Sequence, residues 1–197
     1  MRNFILFLLG AICLFNCNKV EKMKNKILPD RSYEEAKIDN FYWADSGWDY
    51  TLIPLIKPYK IQQLQGSEIW MLDANNPSPK IEIFHGKNTV LSSFDPVESF
   101  NVKDGFIYGS QGEKLDFDEK ETFPKIWFII NTKTKEVHGF ETEKDFKAEL
   151  KKLNLPEEFL SPDAVYEQYK KDPALPWFPE DIKKQLEEVK QKTTNNR

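Results

Sequence analysis

The sequence predicts an α+β fold, an antiparallel β-sheet of about six to eight strands followed by two or three C-terminal helices. Three observations lead there. Between residues 50 and 140, short apolar or alternating segments follow one another with turn signals about every 8 to 14 residues. That spacing suits hairpins and leaves no room for the helical crossovers of a parallel sheet. After residue 141 the apolar positions recur at helical spacing between prolines. Finally, 40% hydrophobic and 14% aromatic residues in 197 supply a core for a single domain and are far from a disordered composition.

Each element has a local reason. Tyr50 to Ile56 is β-branched and apolar, with Pro54 confining it to an edge or a bulge. Tyr59–Leu64 and Glu68–Leu72 form the next two strands, turned at Gly66-Ser67. Asp73 to Pro79 is a strong turn. Lys80–Phe84 and Thr89–Leu91 bracket a hairpin loop at His85-Gly86-Lys87-Asn88. Phe100–Val102 and Phe106–Tyr108 flank Lys103-Asp104-Gly105, where Asp-Gly provides the positive φ of a type I′ turn. Gly109 to Thr122 reads as a polar loop, and Lys125–Ile130, apolar on both faces, as a central strand. Glu136–Phe140 completes the sheet region. Thr142 caps a helix with Phe146, Leu150 and Leu153 on one face. Ser161-Pro162 opens a second helix, and Pro179-Glu180-Asp181 a third with an Ile182, Leu186, Val189 stripe.

Charge and hydropathy remove several function classes. With 28 basic and 32 acidic residues the net charge is −4, so the basic footprint of a nucleic-acid binder is missing. A polytopic membrane protein needs several apolar runs of about 20 residues, and the chain has none. Its one long apolar run, Phe4 to Phe15, follows Arg2 and reaches about 18 Å as a helix, short of a hydrocarbon core of about 30 Å. That is the h-region of a secretory signal. Both cysteines, Cys13 and Cys17, lie at its end.

The segment Leu14-Phe15-Asn16-Cys17 resembles the lipobox of bacterial lipoproteins. The resemblance implies cleavage before Cys17, a diacylglyceryl thioether and palmitate-type acylation at Cys17, and a location on the bacterial cell envelope, membrane-anchored and facing the periplasm or on the outer membrane. It sets apart a signal peptide at 1–16 and a lipidated cysteine with a polar tether at 17–31; the residue patterns beyond make one domain at 32–197, its sheet at 50–140 and its helical tail at 141–192. In that domain Ser32-Tyr33-Glu34-Glu35 matches a capping box.

Catalytic and metal chemistry find little support. Two histidines, His85 and His138, without a cysteine beyond Cys17, cannot build a histidine-cysteine zinc site, and no His-x-Glu or His-Glu-x-x-His spacing occurs. Gly109-Ser110-Gln111-Gly112 is not a nucleophile elbow, and no Gly-rich nucleotide motif is present. The acidic stretch Glu113 to Glu121 has Glu121 where a calcium loop needs glycine. No metal or cofactor is expected.

Aromatics are the unusual feature. Phe41 to Tyr50 holds five aromatic residues with Asp45 and Asp49, and Trp177-Phe178 sits between prolines. Aromatic faces with nearby acids suit sugar rings or peptide side chains. Trp43, Asp45, Trp48, Asp49 and Trp177 are therefore the candidate binding residues. The reading that follows is a non-catalytic, membrane-tethered module for an envelope protein, peptide or glycan. A hydrolase using Asp45 and Asp49 as paired carboxylates is the second reading. A structural subunit of an envelope assembly is the third, marked by an unpaired Ile182-Leu186-Val189 stripe.

Overall fold

A computed structural model describes residues 36–43, 50–73, 81–85, 87–91, 93–116 and 121–195. The expected signal peptide, Cys17, the expected tether, the Ser32 capping box, Asp45, Trp48 and Asp49 lie outside the described residues. The architecture is α+β, with two four-stranded antiparallel sheets and three C-terminal helices. The eight principal strands thus fall into two sheets sharing a core, where the sequence suggested one.

The first sheet has the order β1-β2-β3-β6, from β1 (Tyr50–Pro54), β2 (Lys60–Leu64), β3 (Trp70–Asp73) and β6 (Ser93–Phe94). β1 lies at its edge and ends at Pro54, a position where a missing N–H can face away from the ladder. Gly66, at φ 80°, turns β2 into β3. A separate hairpin pairs β4 (Ile81–His85) with β5 (Lys87–Leu91), so these strands reach further into the His85 to Asn88 segment than the expected loop allowed.

The second sheet has the order β12-β11-β8-β7. Its strands are β7 (Val97–Lys103), β8 (Phe106–Gln111), β11 (Ile126–Asn131) and β12 (Glu136–Phe140). β11 is central, as its apolar run requires, and buries Ile126, Phe128, Ile129 and Ile130. The β7–β8 turn carries positive φ at both Asp104 (52°) and Gly105 (87°). The expected polar loop after Tyr108 is largely strand: β8 runs on to Gln111, and β9 (Lys114–Asp116) pairs with β10 (Glu121–Phe123). Gly109 makes this continuation possible, because a Cβ there would stand 2.0 Å from the Ser99 carbonyl oxygen. The register shift between Val97 and Ser99 brings the β7 backbone against it.

Phe94 of the first sheet stacks on Phe128 of the second at 4.1 Å between ring centroids. Around that pair Ile53, Ile61, Leu72, Phe100 and Ile107 form the main core. The opposite face of the second sheet buries Tyr108 and Ile129 under Phe146, Leu150 and Leu155.

Helix α1 (Glu143–Lys152) starts where the Thr142 hydroxyl accepts from the Asp145 N–H at 3.2 Å. Helix α2 (Pro162–Lys171) has proline at its first position. Helix α3 (Glu180–Asn195) buries Ile182, Leu186 and Val189 in the main core. The stripe expected to project from a structural subunit is therefore occupied within this chain, which corrects that expectation. Three apolar positions per two turns suffice to dock a terminal helix on its own domain.

Candidate functional site

Trp43 is the sequence candidate that the fold brings to a pocket. Its position is fixed from below. The Asp39 carboxylate accepts from the Phe41 N–H at 3.0 Å, closing a 3₁₀ turn over Asn40–Tyr42. The same carboxylate takes the Lys57 ammonium at 2.5 Å. This hydrogen bond, then that from Phe41, holds the Asp39 carboxyl below its usual range. Tyr42 is buried edge-on against Phe178 at 4.9 Å. Trp43 then donates its indole N–H to the Ile38 carbonyl at 2.9 Å, which sets the ring plane.

Helix α2 supplies the facing wall. Val165 anchors it in the core. Trp70 of β3 donates to the Asp163 carboxylate at 2.7 Å and lies tilted on the Tyr166 ring at 5.6 Å. Tyr169 donates its hydroxyl proton to the Tyr42 carbonyl at 2.8 Å, tying the helix to the Trp43 segment. Tyr166 and Tyr169 lie three residues apart, so they share one helix face.

Between these walls is a pocket of about 240 Å³. Its apolar lining comes from Trp43, Leu52, Tyr166, Tyr169 and Pro173. Its charged lining is three lysines, Lys170 and Lys171 from the last turn of α2 and Lys190 from α3. Lys170 sits 4.9 Å over the Tyr166 ring and 2.5 Å from Glu167. The hydrogen bond between them raises the Lys170 ammonium and lowers the Glu167 carboxyl, so both are charged at neutral pH. Lys190 meets Asp172 at 3.2 Å. Lys171 is exposed and makes no ion pair among the described residues.

Trp177 is half-buried and lies outside this lining. Its indole N–H donates to the Pro54 carbonyl at 2.9 Å, and its ring meets Phe100 edge-on at 5.8 Å. It joins the α2–α3 link to the end of β1. Asp45, Trp48 and Asp49, the carboxylates of the hydrolase reading among them, lie outside the described residues, as does Cys17. His138 is exposed on β12. Among the described residues no group of three His, Cys, Asp or Glu side chains is placed to hold a metal ion. Nor does any described helix have the length and apolarity to cross a membrane.

Sequence reasoning missed Tyr166, Tyr169, Lys170, Lys171 and Lys190. The pair of tyrosines at helical spacing beside a lysine doublet was the available local signal. The signal lacking was their meeting with Trp43, a contact between Tyr169 and Tyr42 spanning 127 residues of chain. Comparison of the chain with protein-family models, curated proteins and solved structures finds no match.

Proposed function

We propose that this chain is a bacterial envelope lipoprotein, held at the membrane through lipid on Cys17, whose α+β domain is a non-catalytic binding module. The tether rests on the apolar run from Phe4 to Phe15, its position after Arg2, and the cysteine that ends it. One acyl chain binds a membrane only marginally, and two or three hold it firmly. The observation that carries the binding reading is the pocket at Trp43. The Trp43 and Tyr169 polar atoms are already bonded inside the protein, so these rings offer apolar surface. Ammonium groups offer the charge. Such a surface recognises a partner from the envelope, be it protein, peptide or glycan.

Two measurements test this function. Full-length protein is expressed in a bacterial host with an alkyne palmitate analogue. Wild type and Cys13→Ser should be labelled and fractionate with membranes, and Cys17→Ser should be unlabelled. Equal labelling of Cys17→Ser, or a native mass that retains Met1 and two free thiols, overturns the tether. Detergent-solubilised envelope should yield a partner to wild type that Trp43→Ala fails to retain. Retention of the same partner by Trp43→Ala removes the pocket from the reading.

A further inference from the structure

We infer that the Trp43 pocket takes a small apolar carboxylate, a carboxyl group carried on a body the size of one ring or one side chain. The inference deepens the binding reading above and rests on it. Size is the first argument. A pocket of about 240 Å³ lies below the roughly 300–1,000 Å³ of sites for drug-sized ligands, so it accommodates one such body.

Polarity is the second argument. The Trp43 indole N–H and the Tyr169 hydroxyl proton are committed to the carbonyls of Ile38 and Tyr42. The charged groups at the lining are all ammonium groups, which donate and cannot accept, beside the tyrosine hydroxyl oxygens. A neutral sugar has hydroxyl protons of its own to place and meets donors at all three lysine positions. A carboxylate needs donors alone, and charge-assisted donation to it is the stronger kind. The apolar body then lies on the aromatic walls.

Displacement of the existing pairs is no obstacle. The Lys170–Glu167 pair is solvent-exposed, with side chains 46% and 59% accessible, and such pairs contribute little. Lys171 makes no ion pair among the described residues and feels Glu167 only through space, which makes it the first contact for the incoming anion.

The test is a ligand-observed NMR titration of the full chain in detergent. N-acetylphenylalanine, 3-phenylpropionate, N-acetylphenylalaninamide, acetate and glucuronate are compared. The first two should bind with millimolar or tighter Kd. The amide, which keeps the ring and loses the charge, should bind at least about tenfold more weakly. Acetate, which keeps the charge and loses the ring, should do the same. Lys171→Gln should bring the acids down towards the amide while leaving the amide unchanged. Tighter binding of N-acetylphenylalanine than of phenylpropionate identifies a peptide C-terminus as the source, and the reverse order a free acid. Equal binding of acid and amide overturns the inference. So do equal binding of acid and acetate, a stronger response to glucuronate, no effect of Lys171→Gln, or no binding at all. Partner retention that depends on Trp43 while all five compounds fail would sink the carboxylate and leave the binding module standing.

Discussion

Tyr108 offers the sharpest test of the packing. It sits in the middle of β8, paired with Asn101 on one side and Ile129 on the other. Its side chain is fully buried among Ile129, Phe146, Leu150 and Leu155, with Phe159 edge-on at 6.1 Å. Its hydroxyl has no hydrogen-bond partner among the described residues. An unpaired buried hydroxyl costs about 1–3 kcal/mol, so Tyr108→Phe should stabilise the fold by about 1–2 kcal/mol at pH 8. For a domain of this size that is roughly 2–8 °C in Tm.

The pH dependence gives an independent check on the same group. Burial, with smaller contributions from the charges of Asp104 and Glu158, pushes the Tyr108 hydroxyl from 10.0 up to about 12. Between those values the folded protein holds a proton that the unfolded chain has lost. The stabilisation associated with this proton is intact below pH 10 and disappears as pH rises towards 12. By pH 11 wild type should have lost about 1.4 kcal/mol relative to Tyr108→Phe, on top of the difference at pH 8. Urea unfolding followed by circular dichroism at pH 8, 10 and 11 measures both quantities. A Phe variant no more stable than wild type at pH 8, or a gap that stays constant to pH 11, would refute an unpaired, desolvated hydroxyl.

Further expectations concern the sheets and Trp177. Gly109→Ala places a Cβ 2.0 Å from the Ser99 carbonyl oxygen and should destabilise by at least about 3 kcal/mol. Gly66→Ala, in open space but at φ 80°, should cost only about 1 kcal/mol; similar losses at both glycines in denaturant melts would contradict the close approach of β7 to β8. Phe94→Ala removes one half of the stack that joins the two sheets and should cost about 3–5 kcal/mol by the same melts, with a value under 1 kcal/mol denying that Phe94 belongs to the shared core. Trp177→Phe loses the hydrogen bond to Pro54, so it should lower stability by about 1 kcal/mol and leave ligand binding at the Trp43 pocket unchanged. A loss of binding with unchanged stability would return Trp177 to the site.

What the sequence made legible was local. Asp104-Gly105 announced its turn because few residue pairs accept two consecutive positive φ values. Thr142 announced a helix because its hydroxyl has one good use three residues before Asp145. Ile126 to Ile130 announced a central strand because no one-sided strand is apolar at every position. The misreadings share another cause. Gly109 looked like the start of a loop, but glycine here answers to a neighbouring backbone brought in by the β7 register shift, a fact that its own segment does not contain. The Ile182, Leu186, Val189 stripe looked the same whether covered by this chain or by another, and only the tertiary arrangement shows it buried in the core. The division of the strands into two sheets was hidden likewise, since Phe94 and Phe128 meet across the fold.

The candidate site shows why half of a pocket can be read and half cannot. Trp43 stood out as one of a cluster of aromatics, more than its segment needed for packing. Tyr166 and Tyr169 carry no local mark of a site, and lysines in the last α2 turn have a local reason of their own at the negative end of the helix, where cations gain about 0.3–1 kcal/mol. That local reason accounts for Lys170 and Lys171 but not for Lys190, which arrives from α3. Its bond to Asp172 is part-buried, and it sets the amine beside the same aromatic walls. The walls are in turn held by bonds made on folding: Trp43 to Ile38, Tyr169 to Tyr42, and Asp163 to Trp70. A ligand that enters therefore has few aromatic side chains to order, and ordering each would otherwise weaken binding by about 0.5–1.5 kcal/mol. Cutting the Tyr169 bond with Tyr169→Phe should leave the lining apolar but free Trp43 to move. Ligand affinity should then fall about threefold to tenfold, with unfolding free energy lowered by about 1 kcal/mol for the lost bond. Unchanged affinity in that variant would mean that the walls need no such tie, and that the pocket's order does not depend on the α2 to Trp43 stitch.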